Sequence, residues 1–373
     1  MGWSTTSDLD RFAAAAGGYL RSRAAENILL LSAVQAVRPA REPRQAQQQE
    51  AGLLYGWWTP PDGGDPRGAF VHDPAVPLLI SCRAPEMAAA LAGTLAKLGR
   101  QVCGVDAPAE AADAFAAAWS QRAGTTVRVH RNSRVYRLTE QGTSPQGPGA
   151  PAAPGAWPPP GLSSPSGRLR VAAAGDLTLL TDWLTAFAVE ASQRLPSPSD
   201  LAADLISYGG AVFWEVPHKP GRLREAAHYL AIAHHRDIEA VPQPVALATL
   251  TRPVAGTVRI SMVYTPPERR RSGYAAAAIQ AVSRALLWGT GPDNPVPGLL
   301  GAASAHGCVR EIVMITDKNR PDRWGGRLGY QLAGERAVLR FGPATGAMPR
   351  ANPTGPMPRL PTGPLPRLPR RRR

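Results

Sequence analysis

Residues 257–287 read TVRISMVYTPPERRRSGYAAAAIQAVSRALL. Val258, Ile260, Met262 and Tyr264 alternate with Thr257, Arg259, Ser261 and Val263, which is the period of a half-buried strand. Pro266 and Pro267 end it, because neither can donate to a ladder, and an Arg-rich turn follows. From Tyr274 onward Ala275, Ile279, Val282 and Leu286 fall three or four residues apart, predicting a helix with one apolar face. The first N–H groups of such a helix lack intrahelical partners and the helix dipole adds positive potential, so the turn suits a phosphate group. Arg269, Arg270 and Arg271 supply charge at its rim, and Gly273 lets the backbone approach an anion closely. The spacing Arg270-x-x-Gly273-x-Ala275 is neither a dinucleotide-binding glycine turn nor a P-loop.

The segment VYTPPERRRSGYA resembles the acetyl-CoA-binding segment of the GNAT superfamily of N-acetyltransferases, with its Arg/Gln-x-x-Gly-x-Gly/Ala signature. The alternating strand, the Pro-Pro-Glu corner and the amphipathic helix in register strengthen the resemblance. It implies that backbone groups of Met262, Val263 and Thr265 hold the acetyl group and pantetheine arm of acetyl-CoA. The N–H groups of Arg270, Arg271, Ser272, Gly273, Tyr274 and Ala275 would hold its pyrophosphate, and Asn319 would contact the pantetheine arm. No metal is implied, and the acceptor is an amine, of a small molecule or a protein.

The chemistry of proton transfer is less legible. Many relatives carry a tyrosine shortly before the Gly-Phe/Tyr pair that closes the last helix, where it protonates the leaving sulfur. Here the pair is Gly329-Tyr330, the expected position is Gly325, and the segment is slightly shorter than the family's usual version. Trp324 cannot serve, Tyr264 is an alternative, and Glu190, Glu215 and Glu268 are candidate bases. Catalytic residues are therefore left unassigned.

At 373 residues the chain has room for two domains, and its 44% hydrophobic content is ordinary for folded protein. Residues 139–167 are almost entirely Pro, Gly, Ser and Ala and read as an extended linker. Before it, helices are expected from Ser7 or Asp8 and over 19–37, 85–98 and 109–122. Strands are expected over 53–58, 69–72, 76–82, 101–105, 125–130 and 134–138. After it, strands are expected over 168–173, 211–216, 245–250, 257–264, 311–316, 330–332 and 337–341. Helices are expected from Asp176, over 199–208 and 274–287, and irregularly near 321–328. The halves share an element order without visible sequence similarity. This predicts two GNAT-like α/β domains, each a mixed sheet flanked by helices, at 1–138 and 168–343. The first lacks the Arg-x-x-Gly turn: its strand runs straight into RAPEMAAAL, with Glu86 where an anion would sit, so that half is expected to be degenerate.

The net charge of +14 suggests nucleic acid, but residues 344–373 hold seven arginines and no acid, which leaves +7 for the rest. With three lysines among 42 basic residues and no nucleic-acid motif, the charge reads as compositional bias, and nucleic acid is not the favoured partner. That Pro/Arg tail is expected to be disordered. Three scattered cysteines, acids near the start and no long uncharged apolar run favour a cytoplasmic protein that does not span a membrane. His218, His228, His234, His235 and Asp237 crowd a proline-rich insertion read as a surface loop rather than a zinc site. Oligomeric state is open. Three classes compete: an acetyl-CoA-dependent N-acetyltransferase, a coenzyme A-binding scaffold without turnover, and a basic nucleic-acid-associated protein. Turnover on amines, binding without turnover, and salt-sensitive retention surviving tail removal distinguish them.

Overall fold

The computed structural model describes residues 2–37, 52–140, 165–193, 195, 197–217, 242–289, 296–301, 308–319 and 325–343. The histidine-rich insertion, the tail, Trp324 and residues 141–164 of the linker lie outside them. The class is mixed α/β. Strands β1 (Gly2–Thr6), β2 (Leu54–Thr59), β3 (Gly68–His72), β4 (Leu78–Cys82), β5 (Gly104–Pro108) and β6 (Thr126–Thr139) come from the first half. The second half gives β7 (Arg168–Val171), β8 (Ala211–Pro217), β9 (Pro242–Leu250), β10 (Thr257–Tyr264), β11 (Glu311–Asp317) and β12 (Gln331–Gly342). All twelve join one sheet in the order β1-β2-β3-β4-β5-β12-β6-β11-β10-β9-β8-β7.

That order reads as a palindrome. In each half the fourth and fifth strands pair in parallel, β4 with β5 and β10 with β11, and every other pairing is antiparallel. Each half's last strand lies inside the other's territory: β12 pairs with β5, and β6 pairs with β11. The mixed sheet expected of each half is thus shared between them.

Helices α1 (Leu9–Ser22), α2 (Ile28–Val37), α5 (Leu177–Glu190) and α6 (Pro198–Ser207) cover one face. Helices α3 (Pro85–Lys97), α4 (Ala109–Ala123) and α7 (Tyr274–Trp288) cover the other. Local chemistry sets their ends. Asp8 Oδ1 accepts from the N–H groups of Asp10 (2.8 Å) and Arg11 (3.1 Å) and caps α1. Pro85 and Pro198 stand in first turns, where a missing N–H costs nothing. Gly124 closes α4 in the left-handed region at φ 64°.

Two expectations need correction, and one strand was not expected. The helix expected over 19–37 is the end of α1, a turn at 23–27, and α2; the buried Asn27 Nδ2 donates to the Leu20 carbonyl (3.2 Å) and breaks the run. The opening residues Gly2–Thr6 form a strand, pinned by Trp3, whose Nε1 donates to the Met87 carbonyl (2.8 Å). The strand pairs expected near 125–138 and 330–341 are single long strands, β6 and β12. Arg131, Asn132 and Ser133 look like a turn in sequence, yet they continue β6 because Ser133 pairs with Arg336 in the buried middle of the sheet.

There the Arg336 guanidinium grips Asp106 Oδ1 through Nε (3.0 Å) and Nη2 (2.8 Å), with both residues almost out of solvent, tying β12 to β5. Removing one partner of a buried pair leaves an uncompensated charge. Asp106→Ala should therefore cost about 3–5 kcal/mol, read by chemical denaturation.

Candidate functional site

Strands β10 and β11 pair in parallel only from Thr257–Ile260 to Glu311–Met314. Beyond Ile260 the strands part: β10 stays with β9 to Tyr264, while β11 follows β6 to Asp317. The parting coincides with a bulge, a register shift between Ile260 and Met262 that leaves Ser261 as the extra residue. Thr249 Oγ1 fills the break, accepting from the Met262 N–H (3.1 Å) and lying 2.9 Å from Ser261 Oγ. The extra residue also reverses the alternation. Val258 and Ile260 pack on the α7 side, whereas Met262 and Tyr264 turn toward α5 and α6 and Val263 toward α7.

The turn after β10 passes through a short 3₁₀ segment, Pro267–Arg269, and then two left-handed residues, Arg271 (φ 66°) and Gly273 (φ 79°). A left-handed arginine is strained and glycine is not. Gly273 precedes α7 with no side-chain cap, and the first turn holds no acid, so the helix mouth is open to an anion. A Cβ at Gly273 would meet Pro165 Cδ at 3.6 Å, so the chain entering the second half runs beside this mouth.

Arg270 Nη2 donates to both oxygens of Glu190 (2.6 and 2.7 Å) and Nε to the Thr265 carbonyl (2.9 Å), with the guanidinium 5.9 Å from the Tyr264 ring centroid. Arg269 reaches Gln243 (2.9 Å). Thr265 Oγ1 is buried with no partner among the described residues. Asn319 is exposed just past β11, its N–H donating to Asp317 Oδ1 (2.9 Å). Because β10 and β11 are parallel, Met262, Val263, Thr265, the turn Arg270–Ala275 and Asn319 all sit at one end of the sheet, in or just beyond the carboxyl ends of the two strands.

The candidate proton carriers divide. Tyr264 is 8% exposed against the Trp183 ring, and burial, then the Glu190 charge, push its hydroxyl above the usual range. Glu215 is no candidate base: it is buried, and its carboxylate accepts from Arg168 (3.2 Å) and Arg170 (2.6 Å) across β7 and β8. Glu190 is engaged by Arg270, and Glu268 stands exposed on the 3₁₀ turn. The residue that sequence reasoning missed is Tyr136. A Cβ on Gly325 would run into Tyr136 Cε1 and Cζ, so this ring, on β6 of the first half, fills the space of the absent side chain. Nothing local marks it, because only the strand exchange brings the two together.

In the first half Arg83 is tied to Glu26 (2.7 Å), and burial pushes the Cys82 thiol up to about 12. Among the described residues no cluster of His, Cys, Asp and Glu could hold a metal ion, and no helix is long and apolar enough to cross a membrane.

No protein-family model matches the chain, and no curated protein matches it. Among solved structures, a GCN5-related N-acetyltransferase from Sphaerobacter thermophilus is similar at 16% identity over 82% of this chain and 84% of its own, with a TM-score of 0.43. A GNAT-family acetyltransferase from Colwellia psychrerythraea aligns at 9% identity over 91% of this chain and 99% of its own, with a TM-score of 0.45. A tandem GNAT protein from the clavulanic acid biosynthesis pathway aligns at 13% identity over 78% and 83%, with a TM-score of 0.38.

The packing of Gly325 on Tyr136 is open to test. Gly325→Ala should destabilise the fold by about 1–3 kcal/mol through overpacking, and Tyr136→Ala should recover part of that loss in the double variant. Additive losses in a thermal double-mutant cycle would show that the two do not touch.

Proposed function

We propose that the chain is an acetyl-CoA-dependent N-acetyltransferase that acts on an amine by direct attack, with the cofactor held by residues 168–343. Residues 1–138 form a degenerate counterpart, 139–167 a linker and 344–373 a tail. The observation that carries this reading is the meeting, at one sheet edge, of parting parallel strands with an open, acid-free helix mouth behind a left-handed glycine. These residues fit acetyl-CoA: the Gly273 turn offers a cradle without a side chain, and the orphaned Thr265 hydroxyl awaits a polar partner.

Acetyl-CoA supplies an activated thioester. Main-chain groups of Met262, Val263 and Thr265 orient the acyl end and the arm, Asn319 adds a contact to the arm, and the N–H groups from Arg270 to Ala275 hold the pyrophosphate. Arg270 exchanges Glu190 for phosphate when the ligand arrives. Tyr136 stands where the family resemblance calls for a phenol and holds the proton for the leaving sulfur, with Tyr264 as the second phenol at this edge. Three free cysteines fit a reducing compartment such as the cytoplasm. A second reading, coenzyme A binding without turnover, is favoured by one observation: Gly325 itself offers no acid.

Calorimetry with acetyl-CoA tests the cradle. Gly273→Val should abolish binding, and Arg270→Ala should weaken it by about 1.5 kcal/mol, the low end for a charge-assisted contact, because the Glu190 pair is given up. Glu190→Gln should tighten binding about two- to fivefold, the worth of an exposed ion pair, and Arg83→Ala should change nothing. Normal binding by Gly273→Val would put the cofactor elsewhere. Tyr136→Phe should leave acetyl-CoA affinity intact and lower kcat about a hundredfold or more on an amine panel. Binding without turnover by the wild type would establish the second reading.

A further inference from the structure

The sheet face opposite α7 holds charged side chains at its centre, contributed by both halves. Arg259 on β10 is in register with Val313 on β11, which lies under Ile28 of α2 with Val135 of β6. It therefore points to the α2 side. Arg131 and Ser133 are spaced two by two from Val135 along β6 and face the same way, as do Asp106 and Arg336 through their pairing with Val338 and Ser133. On this side Arg336 is matched by Asp106, whose Oδ1 and carbonyl oxygen both accept from it.

Arg259 and Arg131 are not matched. Among the described residues neither guanidinium meets a carboxylate or a hydrogen-bond acceptor, and the Nε of each is buried without a partner. The Asp317 carboxylate, on the same face at the sheet edge, accepts from the Asn319 N–H. Burial, then the neighbouring Arg131 charge, lowers the Arg259 pKa to about 10 against the opposing pull of Asp106 and Tyr208, so Arg259 remains cationic at neutral pH. Two like charges on one face, each with its Nε out of water and nothing among the described residues to accept from it, oppose folding. A planar fork of N–H donors is the geometry that carboxylate and phosphate groups fill.

We propose that Arg259 and Arg131 form a binding site for a small ligand bearing a carboxylate or phosphate group, on the sheet face opposite the α7 mouth. The site does not depend on the acetyltransferase reading. If that reading holds, the site lies on the α5–α6 side of the bulge, toward which Met262 and Tyr264 turn, and its ligand is an acceptor with an acidic group.

Thermal unfolding of the full chain without acetyl-CoA, titrated with malonate or with inorganic phosphate against sodium chloride at matched ionic strength, tests it. Wild type should show a saturable rise in Tm with one of the two anions, and the better anion names the ligand's acidic group. Arg259→Met and Arg131→Gln should each raise the midpoint of that response at least about tenfold, the value of a charge-assisted contact. Arg259→Met should be no less stable than wild type without the anion, since it removes a charge whose Nε is buried with no acceptor among the described residues. Should Arg259→Met fail to fold, Arg131→Gln carries the test by itself. Arg83→Ala, outside both sites, should respond as wild type does. No rise beyond chloride, an unchanged midpoint in Arg131→Gln, or loss of the response in Arg270→Ala would each overturn the proposal, the last by placing the anion at the helix mouth.

Discussion

The exchange of β6 and β12 between the halves is the constraint on which the rest of the structure depends. In each half the fifth strand has a parallel partner on one side and would leave an open edge on the other. The other half's last strand covers that edge, so no interior strand is left to pair with another molecule. The Asp106–Arg336 pair sits at this seam and ties the first half's β5 to the second half's β12. A hydrophobic pair of similar volume could serve stability as well; the ionic pair fixes which strand lies beside which, because a one-residue slip would bury both charges unpaired.

From the exchange it follows that the second half's site is not built by the second half alone. β11 is flanked on one side by β10, from which it parts, and on the other by β6 from the first half. That is why the ring beside Gly325 and a guanidinium near Arg259 both come from residues more than a hundred positions away. The first half thus contributes side chains to the second.

The parting of β10 and β11 costs backbone pairing, and the local chemistry offsets it. Thr249 accepts the N–H that the bulge at Ser261 frees, and Arg270 ties down the Thr265 carbonyl. The left-handed backbone at Arg271 is a further strain held by the surrounding turn. Strain and unpaired groups gathered at one edge are what a binding edge requires, since a fully satisfied edge would have nothing left to offer a ligand.

The sequence by itself determined what local periodicity and turn chemistry encode. Strand Thr257–Tyr264, the stop at Pro266-Pro267, the glycine before Tyr274 and the helix begun at Pro85 were all legible, because each depends on residues within a few positions of one another. Tertiary structure alone decided the strand exchange, the reversal of faces after Ser261, the fate of Glu215 and the arrival of Tyr136 at Gly325. The alternation from Val258 to Tyr264 is unbroken in sequence, and only pairing with β9 inserts the bulge. Arg131, Asn132 and Ser133 read as a turn because polar triplets usually meet water; here they meet Arg336 inside a sheet that two distant segments close together.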